Sequence, residues 1–146
     1  MKVVVQRVKE AKVEVDGKLI SKIDNGFLVL LGITHTDTET NADYLVKKVC
    51  NLRVFEDENQ KMNLSLKDIN GKLLIVSQFT LYANCKDGNR PSFVEAAKPD
   101  MANKLYEYFC EKCEKEYNIE VKKGIFGADM KVSLLNDGPV TIIIEK

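Results

Sequence analysis

The chain has 146 residues, 45% hydrophobic and 30% charged, with 22 Lys and Arg against 22 Asp and Glu. That is the length of a single domain, residues 1–146, which can bury roughly 68–70% of its unfolded surface, and the apolar fraction is too high for a disordered tail. Zero formal charge argues against a partner gripped mainly by bulk electrostatics, such as duplex DNA read non-specifically. The longest apolar stretch, around Phe27–Leu31, falls far short of the ~20 residues of a membrane helix. Charges scattered through MKVVVQRVKEAKVEV leave no signal-peptide core, so the expectation is a cytoplasmic protein away from membranes.

In chain order, Lys2–Val8 reads as a strand rich in β-branched residues. Lys12–Val15 alternates, and Asp16-Gly17 is a hairpin signal before Leu19–Ile23. Asn25-Gly26 turns into Phe27–Ile33, a continuous apolar run that predicts a strand buried on both faces. Asp37–Leu52 takes a helical period with Ala42, Leu45, Val46 and Val49 on one face, after capping side chains at Thr36–Thr38. Arg53–Glu56 reads as a short strand and Asp57–Asn63 as a loop. After Asn70-Gly71, Lys72–Tyr82 is the strongest strand pattern in the chain, and Asn84–Pro91 is a loop. Pro99 suits the first turn of a helix reaching Tyr117, with Ala102, Leu105, Phe109 and Cys113 on its apolar face. Ile119–Lys122, Met130–Leu135 and Val140–Glu145 read as strands, the last two separated by a tight turn at Asn136-Asp137-Gly138-Pro139. The order predicts an α+β fold with two main helices, not a regular βαβ repeat.

Cys110 and Cys113 have the C-x-x-C spacing of a redox pair or half a zinc site. They fall inside a helical segment with no second C-x-x-C or H-x-x-x-H to complete a metal site, so they read, with Cys50 and Cys85, as ordinary thiols of a reducing compartment. His35, the only histidine, sits between an apolar run and a polar stretch and reads as a loop residue. Any Ser-His-Asp or Cys-His site would have to use it.

Two places go beyond packing. If Lys72–Tyr82 is one strand, Ser77 and Phe79 share a face with Leu73 and Ile75, while Gln78 and Thr80 share the other with Leu74 and Val76. Polar residues thus enter at the C-terminal end of an apolar strand, where sites form in helix-covered sheets and where a plain strand end also meets solvent. From composition alone Gly138-Pro139 reads first as an ordinary turn, which needs no special reason to contain Gly and Pro, and only second as a main-chain feature with a purpose.

These segments together resemble the D-aminoacyl-tRNA deacylase family. The chain carries its S-Q-F-T-L motif at Ser77–Leu81 and its N-x-G-P-V-T motif at Asn136–Thr141. Val5–Val8, Lys61–Leu64, Arg90–Phe93 and Phe126–Met130 match lesser features of the family, and the likeness runs from Met1 to about Glu145. Asn84 departs from an Asp found in many members. A sibling family that removes wrongly attached amino acids replaces Ser77 and Phe79, both kept here.

The resemblance implies a homodimer of α+β subunits around a curved or barrel-like sheet. It implies hydrolysis of the ester joining a D-amino acid, or glycine, to the 3′ end of tRNA, without cofactor or metal. It puts Ser77, Gln78, Phe79 and Thr80 at the catalytic centre, and Gly138, Pro139, Met130 and Arg7 beside the substrate. The Gly-Pro bond is cis in the family and enters the partner's pocket, where its carbonyls meet the α-amino group and leave no space for an L side chain. That is discrimination by exclusion. Arg7 supports that segment in the family; otherwise it is a surface arginine on an edge strand.

An aminoacyl ester is already activated and needs a positioned water and oxyanion donors more than a strong base. With no histidine in the motif, Thr80 as nucleophile has less support than attack assisted by the terminal ribose hydroxyl, with N–H groups near Phe79 and Thr80 as donors. Three other readings are an RNA-binding module without catalysis, a hydrolase using Thr80 or a cysteine as covalent nucleophile, and an inactive structural dimer. The first lacks a basic stripe and an obvious stacking pair on one strand.

Overall fold

The computed structural model describes residues 1–146. The elements are β1 (Lys2–Val15), β2 (Lys18–Ile23), β3 (Gly26–Gly32), α1 (Glu39–Cys50), β4 (Phe55–Glu56), β5 (Met62–Leu64), β6 (Lys72–Ser77), a 3-10 turn (Phe79–Tyr82), α2 (Pro99–Tyr117), β7 (Val121–Lys123) and β8 (Lys131–Glu145). Neither helix is long and apolar enough to cross a membrane.

β1 organises the sheet. Asp16 and Gly17, both at positive φ, close its hairpin with β2, as the sequence predicts. Lys2–Val8 and Lys12–Val15 form one unbroken strand instead of two. β8 runs antiparallel along one edge of β1 from Lys2 to Glu14, and β3 and β2 share the other edge. β6 lies parallel to β3, and β7 parallel to β6. Ser21 Oγ of β2 donates to the Lys123 carbonyl of β7 at 2.6 Å, drawing the far edge back toward β2. The sheet is therefore nearly closed, the barrel-like α+β form.

Alternation gives it two cores. Val8, Ala11, Val13, Ile23, Leu28, Leu74 and Val76 form the smaller cluster. The opposite faces of β3 and β6, Phe27, Val29, Leu31, Leu73 and Ile75, pack with the helices. β3 is thus buried on both faces, which is why its sequence is apolar without alternation. The predicted face of α1 and that of α2 are all buried. α2 adds Tyr106, fully buried because its hydroxyl donates to the Ile75 carbonyl at 2.8 Å.

Three further sequence expectations change. Lys72–Tyr82 is a strand only to Ser77, because the β3 ladder ends at the Leu31–Ser77 pair and leaves nothing beyond to bond. The shared faces of Ser77 with Phe79, and of Gln78 with Thr80, therefore do not exist. Asp57–Asn63 is not all loop, since Met62–Leu64 pairs with Phe55–Glu56. Asn136–Pro139 does not reverse the chain: both halves of β8 run antiparallel to β1, and residues 137–140 bulge out opposite Arg7.

Cys110 and Cys113 face the core beside Cys50. Burial pushes the Cys110 thiol up to about 12, and a hydrogen bond with Cys50 followed by burial raises Cys113. Thiolates are the reactive form. Iodoacetamide at pH 7 is therefore expected to label native protein on the exposed Cys85 alone; an adduct on Cys110 or Cys113 would contradict this packing.

Candidate active site

A cleft of about 630 Å³ opens where β6 ends, within the usual range for small-ligand sites. Ser77, Gln78 and Phe79 form one wall, and Met130 another. The loop before α2 contributes Phe93 and Lys98, and Asp129 lies opposite, ion-paired with Lys131 at 2.9 Å. Most of the lining is apolar, and no imidazole reaches it.

The local folding follows from the ladder. The Gln78 N–H makes the last strand-like bond, to the Leu31 carbonyl at 2.8 Å. The chain then curls: the Leu81 N–H returns to the Gln78 carbonyl at 3.2 Å, and the Ala83 N–H to the Thr80 carbonyl at 3.0 Å. The first N–H groups of such a turn have no partner within it. Here they belong to Phe79, which lines the cleft, and Thr80, which stands beside it. Gln78 Nε2 donates to Thr80 Oγ1. The partner of the Thr80 hydroxyl is thus an amide. Thr80 is exposed beside the cleft and is not part of its lining.

Phe79, 57% exposed, meets Phe93 edge-on with ring centroids 5.1 Å apart. No single strand carries this pair, because its members come from the turn and a distant loop. The signal lay in the two motifs containing them. The loop is pinned by Thr34 Oγ1 donating to the Glu95 carbonyl at 2.5 Å, and by the Ala97 N–H donating to the Ile33 carbonyl at 2.9 Å. His35 serves the same loop, its Nε2 2.7 Å from the Val94 carbonyl.

The second motif lies elsewhere. Gly138-Pro139 is a cis peptide, exposed, and neither residue lines the cleft of its own chain. Asn136 holds the bulge together: its Oδ1 accepts the Val140 N–H at 3.0 Å, and its Nδ2 donates to the Val140 carbonyl at 3.3 Å. Arg7, only 5% exposed, is no surface arginine. Its Nε donates to the Asp137 carbonyl at 3.0 Å, and its Nη1 to the Val54 carbonyl at 2.6 Å. The Asp137 carboxylate lies 3.4 Å from Arg7 Nε and 3.2 Å from Lys9 Nζ. Of the eight residues singled out in the sequence, one chain thus brings together Ser77, Gln78, Phe79, Thr80 and Met130, and separately Arg7, Gly138 and Pro139.

The fold and cleft describe a small α+β domain with a ligand-sized cleft at the end of a sheet strand. The family model for D-Tyr-tRNA(Tyr) deacylase matches residues 4–145. A D-aminoacyl-tRNA deacylase of Fusobacterium nucleatum is 62% identical over 145 residues, covering 99% of this chain and 95% of that protein. One of Thermosipho africanus is 60% identical over 145 residues, covering 99% and 97%. Among solved structures, that of the c-Myc DNA unwinding element binding protein superposes with a TM-score of 0.95 at 46% identity, covering 100% of this chain and 99% of that one. A probable eukaryotic D-amino acid tRNA deacylase shares the fold, with a TM-score of 0.84 at 17% identity over 99% and 98% of the two chains. The chain belongs to the D-Tyr-tRNA(Tyr) deacylase family and is a hydrolase of that family.

Arg7→Met leaves the Asp137 and Val54 carbonyls without their donor in a buried setting. The expected loss is about 1–3 kcal/mol of stability, read as a lower urea midpoint with unchanged slope. An unchanged midpoint would show that Arg7 does not hold the bulge.

Proposed function

We propose that this chain hydrolyses the ester of D-aminoacyl-tRNA, and of glycyl-tRNA, and spares L-aminoacyl-tRNA. The observation that carries the reading is the largely apolar cleft at the end of β6, walled by Ser77, Gln78 and Phe79 where the chain leaves the sheet for the 3-10 turn. In this reading the aminoacyl end of tRNA enters between Phe79 and Met130. The ester carbonyl lies against the turn, whose N–H groups stabilise the oxyanion. The terminal ribose hydroxyl assists water, since Thr80 is bound to an amide. The reaction needs no metal or cofactor and takes place in the cytoplasm.

Chirality is read by the other motif, supplied by a second copy of the chain. Three observations support this: Gly138 and Pro139 are exposed, they stand outside their own cleft, and β8 has a free outer edge with Leu135 56% and Ile143 67% exposed. An unpaired apolar edge of this length is a natural surface for self-association. Main-chain carbonyls at Gly138 and Pro139 would hold the α-amino group and occupy the space of an L side chain. A D side chain points away, and glycine has none, so both pass.

The direct test compares matched D- and L-tyrosyl-tRNA. The purified protein is expected to deacylate the D form and leave the L form, and indifference to chirality would refute the reading. Gly138 sits at φ +127°, where a methyl group would lie 2.9 Å from both Arg7 Nη2 and Val140 Cγ2. Gly138→Ala is expected to displace the bulge and lower the D-over-L ratio about tenfold or more. In single-turnover assays Thr80→Ala is expected to keep substantial deacylation; complete loss, with fold and binding intact, would restore Thr80 as the nucleophile.

A further inference from the structure

The wall of the cleft that reacts is shaped from behind by a residue that never touches it. Gly32 ends β3, is buried, and pairs with Lys2 of β1. Its backbone lies outside the left-handed region, so an L residue could adopt it. The need for glycine there is purely one of space. A methyl group on Gly32 would lie 2.9 Å from Leu81 Cβ, 3.2 Å from the Gln78 carbonyl oxygen and 3.3 Å from Tyr82 Cδ2. All three atoms belong to the segment that carries Phe79 and Thr80.

These neighbours are poor at yielding. Leu81 Cβ is fixed to the main chain and cannot swing aside. The Gln78 oxygen is the acceptor that closes the turn, at 3.2 Å from the Leu81 N–H. Tyr82 is buried. Gly32 itself is held in the sheet by β1. Relief of the contact therefore falls on the turn, and with it on the N–H groups of Phe79 and Thr80 that the proposed function uses as donors.

We propose that Gly32 is a positioning residue for deacylation: the absence of a side chain lets the Gln78–Tyr82 turn settle directly on the end of β3 and so fixes where the oxyanion donors point. The inference rests on the turn being the reacting element. It adds that the register of donor to ester is set from beneath by a close main-chain approach. Oxyanion donors act over tenths of an ångström, so a small shift costs turnover more than binding.

The test is a matched pair of variants. Gly71 is also buried, and a methyl group there meets Leu66 Cδ2 at 2.7 Å and Ile69 Cδ1 at 3.0 Å, away from the turn. Gly32→Ala and Gly71→Ala should both lower the urea midpoint. On D-tyrosyl-tRNA only Gly32→Ala is expected to lower kcat, about tenfold or more, with KM changed less than about twofold. Gly71→Ala should keep wild-type kcat. The double variant Gly32→Ala with Leu81→Gly removes the nearest contact and should regain part of the lost kcat even though it is less stable. A purely structural glycine predicts the opposite, a double variant worse than the single. Wild-type kcat in Gly32→Ala, or equal losses in both single variants, overturns the inference while leaving the D-specific activity standing. A wild-type protein that leaves D-tyrosyl-tRNA intact overturns both.

Discussion

The constraint on which the rest depends is the end of a ladder. β3 and β6 run side by side until Leu31 meets Ser77, and then no strand is left to bond. The chain satisfies itself by curling into a 3-10 turn across Gly32. A strand would have engaged the N–H groups of Phe79 and Thr80 in the sheet; the turn leaves them outside the ladder, at the end of β6 where the cleft opens. Around that point the structure is rigid. Both faces of β3 and β6 are buried, Tyr106 is tied to the Ile75 carbonyl, and the loop bearing Phe93 is pinned to the start of the segment after β3. Chemistry that relies on fixed main-chain dipoles needs this kind of support.

The second element solves an opposite problem. Along β8 the pairing with β1 breaks, and one residue of β1, Arg7, faces four of β8. Arg7 fills the gap with its guanidinium, and Asn136 replaces the missing ladder bonds with its amide. The outcome is a projecting piece of main chain, held from behind and open in front. In one chain it reaches no ligand cleft. Under the proposed function the two motifs come from different copies, one offering donors to the ester and the other restricting what stands next to it.

Much of this was legible in the sequence. The faces of both helices, the doubly buried β3 and the Asp16-Gly17 hairpin follow from period and turn chemistry, which are local. The two motifs marked the segment at the end of β6 and the bulge of β8, two places where regular pairing stops. What failed was non-local. Lys72–Tyr82 has strand composition throughout, but its partner strand stops, and no local pattern records the length of a neighbour. Asn136-Asp137-Gly138-Pro139 has the composition of a reversing turn, yet it lies within a strand because β1 continues past it on the other side. Phe93 has no periodic signature, and its partnership with Phe79 exists only after folding. Tyr106 interrupts an apolar helix face with a hydroxyl whose acceptor, Ile75, lies on another element.

The central claim is that each selective site is shared between two chains, and mixed dimers test it most directly. Gly138→Ala protomers, with a sound turn and a displaced bulge, would be allowed to exchange subunits with a large excess of Gly32→Ala protomers, whose bulge is sound. If the bulge acts on the partner's cleft, nearly every sound turn then faces a sound bulge, and hydrolysis of L-tyrosyl-tRNA should fall away while that of D-tyrosyl-tRNA persists. Undiminished hydrolysis of the L substrate in the mixture would mean that each chain filters its own cleft, and would contradict the account.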